Sequence, residues 1–354
     1  MANTLNFGNG KWGVQDGLAL AYNDENNNFK PLPFDFTRDS IGTYVDRDGL
    51  IKTASNNVPR VDFTDSTDGA LLLEPARTNS LPYSDDFTWS GWIKGAGGTG
   101  STPVVTANYG ISPDGTQNAD RLQLNKGAGT TTGDLSYIYD TIISVGTGSI
   151  SIWMKSNDSN NYDIALRHVN FTIATVTPEW QRFELNNQAS CNEFQLMLRG
   201  TYGTSDSADV LIYGAQLEAG SYATSYIPTS GSAVERVGET PSQTPTTGII
   251  GQTEGTIYFE SEINGLQGSD MRFQLSDGSA SNWIFISAGE ATGTGVKGRG
   301  YINNGNVNQF SAYSVYLSAG KHKYALAYKQ NDIAFYVDGT QVLLDTTATI
   351  PSLN

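Results

Sequence analysis

The feature that most limits what this chain can fold into is a series of short apolar runs, each of strand length, with turn residues between them. Runs such as Ser149–Lys155 and Tyr162–Leu166 alternate or are compactly apolar, and Gly, Asn, Asp or Pro separates one run from the next. A period of two is typical of β-strands, and no segment keeps the 3.6-residue period of an amphipathic helix. The sequence therefore predicts an all-β protein.

Changes in pattern divide the 354 residues into four parts. Residues 1–80 are turn-rich, and we expect an irregular arm with short hairpins that gains order from a partner or a neighbouring subunit. Residues 81–228 carry regularly spaced strands and predict a jelly-roll β-sandwich. Residues 229–252 are rich in Pro, Ser and Thr, which is typical of a linker. Strands resume over residues 253–354, with turns predicted at Asp277–Gly278 and Asp338–Gly339, and we expect a second sandwich there.

Charged residues are scarce and mostly acidic. They make up 16% of the chain and give a formal net charge of -15. Such a surface repels the phosphates of nucleic acids and of anionic lipids, so we expect neither nucleic acid binding nor membrane insertion. No apolar stretch approaches the ~20 residues that cross a bilayer.

The N-terminus and the cysteine content bear on the compartment. Met1–Phe7 has no basic region followed by an apolar run, and so does not look like a secretory signal. We therefore expect a protein that is made in a cytoplasm and stays there, or leaves by lysis or assembly. Cys191 is the single cysteine and cannot form an internal disulfide or a thiol–metal cluster, so we expect a small buried residue.

Six motifs follow one another between residues 81 and 236: Leu81–Phe87, Ser112–Leu122, Ser151–Lys155, Trp180–Phe183, Gly214–Gly220 and Thr224–Thr229. In this order they closely resemble the carbohydrate-binding-module-like jelly roll of phage head-fibre and tail-fibre proteins. Phe36–Arg38 and Glu74–Asn79 resemble a segment that precedes such modules in the same proteins. The resemblance implies a place in a bacteriophage virion, often as a homotrimer, with the N-terminal region at the particle.

A second resemblance concerns the C-terminal third. Gly255–Glu260 and Phe335–Gly339 are similar to the start of a concanavalin A-like or laminin-G-like lectin sandwich. Such a sandwich normally has further strands after the hairpin at Asp338 and Gly339. We therefore expect this sandwich to be incomplete at its C-terminus, with further strands supplied by a continuation of the chain or by another subunit.

Aromatic side chains are the candidates for glycan binding, because a flat ring can stack on the face of a pyranose. Trp89 and Trp92 flank a Ser-Gly turn, and they are the first two candidates. Tyr109, Tyr202 and Tyr301 lie beside glycines in predicted loops, where binding residues concentrate. Three further tryptophans stand in strand patterns and are expected to pack in the core: Trp153, Trp180 and Trp283.

Metal binding finds weaker support. Hard oxygen ligands suit Ca²⁺, and five aspartates are closely spaced near the N-terminus: Asp46, Asp48, Asp62, Asp65 and Asp68. Their spacing is not that of the twelve-residue calcium loop, and Asp also favours turns, so we leave a structural Ca²⁺ open and assign no ligand. His168 and His322 are far apart in the sequence, and we expect no zinc site.

Catalysis also lacks a sequence signature, since no nucleophile elbow, phosphate-binding loop or zinc-protease motif is present. A glycosidase needs two carboxylates across a sugar, and no Asp or Glu stands in an apolar setting that would raise its pKa. Glu260 and Glu262 share one face of a predicted strand, which we interpret as solvated. We predict that the chain is not an enzyme.

The resemblance and the composition together predict a structural virion fibre protein, a head fibre in preference to a tail fibre. It would display glycan-binding sandwiches and contact capsid or tail proteins through residues 1–80. Several copies of a weak site on one particle would bind by avidity. Three alternatives stay open: a decoration or spacer protein without a ligand, a depolymerase of host polysaccharide, and a bacterial secreted carbohydrate-binding module, against which the lack of a signal peptide argues.

Overall fold

The computed structural model describes residues 12–15, 18–23, 28–31, 34–65, 67–168, 170–244, 250–263, 271–291 and 295–353. Every regular element in these ranges is a β-strand, so the predicted all-β class is confirmed. The described residues divide into two compact units, one ending at residue 241 and the other beginning at residue 242. The boundary falls inside the stretch predicted as a linker, of which residues 245–249 lie outside the described ranges, as do residues 1–11 of the predicted arm.

In the described ranges, nine short strands precede the first sandwich: β1 (Trp12–Gln15), β2 (Leu18–Asn23), β3 (Asn28–Pro31), β4 (Asp35–Thr37), β5 (Gly42–Val45), β6 (Ile51–Ala54), β7 (Arg60–Asp62), β8 (Ala70–Leu72) and β9 (Arg77–Asn79). β5 and β6 form the hairpin expected around the Asp46–Gly49 turn. Asp46 Oδ1 accepts a hydrogen bond from Leu50 N at 2.9 Å, and Gly49 has a φ of 79°, which glycine adopts without strain.

Ten strands build the first sandwich: β10 (Ile93–Gly97), β11 (Ser101–Gly110), β12 (Ala119–Asn125), β13 (Leu135–Thr141), β14 (Gly148–Ser156), β15 (Tyr162–Arg167), β16 (Phe171–Val176), β17 (Gln181–Gln188), β18 (Glu193–Arg199) and β19 (Ser207–Ala219). One five-stranded sheet, which we call the groove sheet, has the order β10-β13-β18-β15-β16. The other, the covered sheet, has the order β11-β12-β19-β14-β17. Neighbours are antiparallel; β11–β12 and β15–β16 are consecutive along the chain, and the other neighbours come from more distant parts of it, as in a jelly roll.

The core lies between these two sheets. Alternate residues of each strand point inward, so that Ile138, Phe194 and Leu196 are completely buried. Trp92 is 1% exposed and packs edge-on against Phe194, with ring centroids 5.5 Å apart. Cys191 is buried in the same core, as predicted.

Two further strands, β20 (Val234–Arg236) and β21 (Thr240–Ser242), pair with β9 and β4 respectively. Residues 229–241, predicted as linker, therefore belong to the first unit. Residues 34–79, predicted as part of an arm, also pack within this unit. The expectation that the N-terminal region attaches to a virion stays a prediction.

The part of the second unit that the structure describes contains eight strands: β22 (Glu254–Ile263), β23 (Met271–Ser276), β24 (Trp283–Ala291), β25 (Val296–Asn304), β26 (Val307–Tyr313), β27 (Gly320–Lys329), β28 (Ile333–Val337) and β29 (Thr340–Asp345). They form two four-stranded sheets, β22-β27-β28-β29 and β23-β24-β25-β26, around a single core. The hairpins predicted at Asp277–Gly278 and at Asp338–Gly339 are confirmed. The following residues return to the core, where Leu353 is fully buried. That further strands complete this sandwich stays a prediction.

Candidate functional site

The outer face of the covered sheet is packed against the N-terminal part of the unit. Trp153 of β14 and Tyr213 of β19 point outward from this sheet, with ring centroids 6.5 Å apart. Ile51 and Val45 of the β5–β6 hairpin pack on the same cluster, which includes Tyr226. The rings of Tyr213 and Tyr226 are therefore buried, and that of Trp153 half-buried, by the protein itself.

Five charged side chains hold this N-terminal cover in place, and we call them the ion cluster: Arg38, Arg60, Glu74, Arg236 and Glu239. Arg60 joins the two acids, since its Nη2 lies 2.8 Å from Glu74 Oε2 and its Nε donates to Glu239 Oε1 at 2.7 Å. Arg236 pairs with Glu74 at 3.0 Å, and Arg38 pairs with Glu239 at 3.0 Å. A buried charge is tolerated only when it is paired, so these contacts fasten residues 38–74 to residues 236–239.

The electrostatics of the ion cluster follow from this pairing. Burial by itself would raise the pKa of the Glu74 carboxyl, but Arg236 and Arg60 bring that pKa below its usual value. Burial lowers the pKa of Arg236 more than its acidic neighbours raise it. Each charged form in the ion cluster is therefore stabilised by the opposite charges beside it.

The outer face of the groove sheet carries an open groove of about 330 Å³. It is lined by outward-facing residues of β13, β15 and β18: Leu135, Tyr137, Tyr139, Arg167, Glu193, Gln195, Met197 and Arg199. The strand register places these side chains side by side, since Tyr137 is opposite Met197 and Tyr139 is opposite Gln195. We call this surface the groove.

Two tyrosine rings form the aromatic part of the groove. The ring centroids of Tyr137 and Tyr139 are 5.8 Å apart, and the planes are inclined by 37°. Gly95 of β10 is the register partner of Tyr137, and a Cβ atom at Gly95 would lie 2.4 Å from Cζ of the Tyr137 ring. The absence of a side chain at residue 95 therefore allows the Tyr137 ring to lie across β10.

Charged and polar side chains form the rest of the groove. Arg167 Nη1 donates to Gln195 Oε1 at 2.6 Å and lies 3.1 Å from Glu193 Oε1. Arg199 Nε donates to the backbone oxygen of Thr132 at 2.7 Å. Hydrogen-bonding groups beside flat rings are what a saccharide needs, because its hydroxyls require partners and its C–H groups favour the negative face of an aromatic ring.

Of the five aromatic residues predicted from sequence, Tyr202 lies on the same outer face as the groove. Its ring centroid is 3.8 Å from that of Phe171, whose register partner Arg167 lines the groove. The Arg199 guanidinium lies 5.5 Å from the Tyr202 ring centroid. Tyr202 thus forms the border of the groove beside Arg199.

The structure places Trp89, Trp92 and Tyr109 elsewhere. Trp92 is in the core, so its ring offers no face to a ligand, and it does not enter the proposed site. Trp89 is half-buried and stacks on Tyr83, with ring centroids 4.7 Å apart. Tyr109 is 45% exposed on the covered sheet, where the Arg121 guanidinium lies 4.8 Å from its ring centroid. None of the three lines the groove.

Tyr301, in the second unit, lies on the outer face of the β23–β26 sheet. Its ring stacks on Phe285, with ring centroids 5.1 Å apart, and the Arg299 guanidinium lies 4.5 Å from its centroid. Arg299 also pairs with Glu290 at 3.2 Å. The Tyr301 ring is therefore already in contact with an aromatic ring and a cation.

No feature of the sequence indicated Tyr137 and Tyr139 as ligand-binding residues. In the run Tyr137-Ile138-Tyr139, either set of alternate residues could have faced the core. The groove also combines strands that are distant in the sequence. A signal was present in β18, where the polar residues Glu193, Gln195 and Arg199 alternate with apolar residues of the core, and of these three Gln195 is only 7% exposed.

Among the described residues, four carboxyl groups stand in settings that raise the pKa, which the sequence did not indicate: Asp85, Asp120, Asp140 and Glu218. Burial raises the pKa of Asp85 to about 6 and that of Asp120 to about 6. Asp85 Oδ1 accepts from Gly214 N at 3.1 Å, and Asp120 accepts from Phe87 N at 2.9 Å. These bonds attach loops to the sandwich, and neither carboxyl lines the groove.

Within the described ranges, no three His, Cys, Asp or Glu side chains are placed to hold a metal ion. Asp62, one of the aspartates considered for Ca²⁺, accepts instead from Val45 N at 2.7 Å. A structural Ca²⁺ stays a prediction. The same part of the chain contains no helix with the length and apolar character needed to cross a membrane.

Neither a scan against models of protein families nor a search of curated proteins finds a match for this sequence. The resemblance to phage fibre proteins therefore rests on the motifs quoted above. The fold and the groove define an all-β sandwich protein with a solvent-facing aromatic groove on its first sandwich.

Proposed function

We propose that this chain is a structural protein of a bacteriophage virion, a head fibre in preference to a tail fibre, that displays a glycan-binding β-sandwich. Glycan binding is supported by the groove, where two tyrosine rings lie beside a row of hydrogen-bonding side chains on an outer sheet face. The virion location is supported by the resemblance of the motifs in residues 31–236.

In the proposed binding mode, a sugar ring stacks on Tyr137 or Tyr139. Its hydroxyl groups exchange hydrogen bonds with Glu193, Gln195 and Arg167. The groove is shallow and solvent-exposed, so a single site binds weakly. Several homotrimers on one particle would raise the overall affinity, because once one site is bound the next site binds in an intramolecular step.

The test is a glycan array probed with the full chain. We expect retention of a subset of glycans, and loss of that retention in the double variant Tyr137→Ala, Tyr139→Ala. Gly95→Ala is a second variant, because its Cβ would displace the Tyr137 ring without removing any groove side chain. Tyr258→Ala is the matched control, since Tyr258 is an exposed tyrosine, 56% accessible, on the second unit.

Array results separate the binding function from the spacer alternative. If no glycan is retained, or if both groove variants bind as the unmodified chain does, glycan binding at the groove is wrong and a spacer or decoration role is favoured. Release of reducing sugar from a retained polysaccharide would instead favour a depolymerase.

The virion assignment needs its own measurement. We expect an antibody raised against the chain to label phage particles, and light scattering of the full chain to give three times the chain mass. A monomer in solution and unlabelled particles would together contradict the fibre assignment, and would leave the groove's binding properties untouched.

A further inference from the structure

Among the residues that the structure describes, Arg199 differs from most arginines in having no acidic partner. Arg38, Arg60, Arg121, Arg167 and Arg182 each pair with a carboxylate. In the part of the chain that the structure describes, Arg199 forms no ion pair. Its charge stands uncompensated in a groove, on a protein whose net charge is -15.

The Arg199 guanidinium is also held in position. Its Nε donates to the Thr132 oxygen at 2.7 Å, and its plane lies beside the Tyr202 ring, 5.5 Å from the centroid. These contacts use one of the three guanidinium nitrogens and leave the two Nη atoms without a described partner. A fixed fork of two N–H donors matches the two oxygens of a carboxylate.

The other cation of the groove is already neutralised. Arg167 is paired with Glu193 and donates to Gln195, so it offers no free charge to a ligand. Discrimination between acidic and uncharged ligands in the groove therefore depends on Arg199. The groove presents one uncompensated positive charge, at the end bordered by Tyr202.

We propose that the groove selects acidic saccharides, with Arg199 pairing with the carboxylate of a sugar whose ring stacks on Tyr137. This inference rests on the proposed glycan-binding function and adds the chemical class of the ligand. Because Arg199 is fixed before binding, little side-chain freedom is lost when the ion pair forms. An uncharged sugar makes the stacking contact and leaves the guanidinium to water.

The experiment compares three acidic polymers, polygalacturonate, hyaluronate and polysialate, each with its own methyl ester. The ester has the same backbone and lacks the charge. We expect the full chain to bind at least one acid about tenfold more tightly than its ester, which corresponds to one charge-assisted hydrogen-bonded contact. The preference should shrink as salt is raised, because the pair is solvent-exposed.

Three variants test whether Arg199 causes the preference for the acid over its ester. Arg199→Gln should lower the affinity for the acid by about tenfold, towards that of the ester. Arg199→Lys should keep part of the preference, since it retains the charge and loses the fork. Arg47→Gln is the matched control: Arg47 also lies over an aromatic ring, 5.2 Å from the Phe63 centroid, on an unrelated exposed site. It should leave the preference intact.

The outcomes separate this inference from the function on which it rests. If no acid is preferred to its ester, or if Arg199→Gln keeps the preference, the inference is wrong while tyrosine-dependent glycan binding on the array can stand. If neither acids, esters nor array glycans bind, the proposed glycan-binding function fails as well. A thermal melt of each variant confirms that it is folded.

Discussion

The two outer faces of the first sandwich carry aromatic rings, and the rings have different surroundings. On the covered sheet, Trp153 and Tyr213 lie beneath the N-terminal hairpin, together with Tyr226. On the groove sheet, Tyr137 and Tyr139 line an open space of about 330 Å³. Both sheets belong to the same unit and share one core.

This contrast indicates which aromatic surface is available to a ligand. Aromatic rings in a row on a sheet surface are costly to leave in water, and the chain covers one row with its own residues 42–54. Within the described ranges no segment covers the groove in the same way. The groove rings are therefore the ones that an external molecule can contact without displacing part of the protein.

The second unit shows a third arrangement. On the outer face of the β23–β26 sheet, Phe285 has Arg272 at 4.2 Å and Arg299 at 5.7 Å from its ring centroid. Arg299 is in turn paired with Glu290. Rings that already contact guanidinium groups gain less from a sugar than the rings of the groove.

The largest expected effect is on the covered face, where Glu239→Gln would remove one acid of the ion cluster. Arg38 and Arg60 would then lose a partner in a buried site, and we expect the free energy of unfolding of the first unit to fall by about 3–5 kcal/mol. Chemical denaturation measures this. Asp209→Asn is the matched control, because it breaks a half-exposed pair with Arg121 in the same sandwich and should cost less than about 1 kcal/mol. Similar losses in both variants would contradict the role of the ion cluster.

A smaller effect is expected from removing a single hydroxyl group. Tyr226→Phe deletes the donor that bonds Asp85 Oδ1 at 2.5 Å on the covered face, and we expect a loss of about 2 kcal/mol in the free energy of unfolding. Tyr139→Phe removes a groove hydroxyl that has no described partner, and should leave stability unchanged. An equal loss of stability in Tyr226→Phe and Tyr139→Phe would contradict the contrast between the covered face and the groove.

The pH dependence should also come from the covered face. The folded state raises the pKa of Asp85 from 3.8 to about 6, so between these values the folded protein binds more protons than the unfolded chain. Stability should therefore fall as the pH rises from about 4 to about 6, and change little from this source above that range. Asp120 acts in the same direction.

Thermal melts between pH 4.5 and 7.5 test this dependence. We expect a lower melting midpoint at the higher pH, and a smaller difference in Asp85→Asn, whose amide oxygen can still accept from Gly214 N. A midpoint that rises through this pH window in the unmodified protein would show that another group dominates.

The sequence was sufficient for the fold class and for many strands, because alternation such as that of Glu254–Ile263 is a local property. It was also sufficient for the hairpins at Asp277–Gly278 and Asp338–Gly339. It could not assign the ion cluster, since Arg38, Glu74 and Glu239 come together only in three dimensions. In the sequence, charged residues within turn-rich segments are expected to be solvated.

The site was predicted only in part, for a related reason. Tyr202 was identified from its loop position, and it lies at the border of the groove. Tyr137 and Tyr139 were assigned to a strand, but the sequence did not show which face of the sheet they occupy. Tyrosine and isoleucine are both acceptable on either side of a sheet. Trp92 was a candidate because it flanks a Ser-Gly turn, yet its ring fills the core.

The smallest effect on stability is expected on the groove face itself. Tyr137→Ala removes a half-exposed ring whose neighbours are Gly95 and Met197, and a cross-strand aromatic contact of this kind contributes below about 1 kcal/mol. The same variant should lose glycan retention. Denaturation and array binding are measured on one preparation of each variant. Tyr137→Ala should keep its stability and lose glycan retention, whereas Glu239→Gln should show the opposite result. A stability loss above about 2 kcal/mol for Tyr137→Ala would mean that the groove rings serve the fold, and the contrast between the two faces would no longer point to a ligand site.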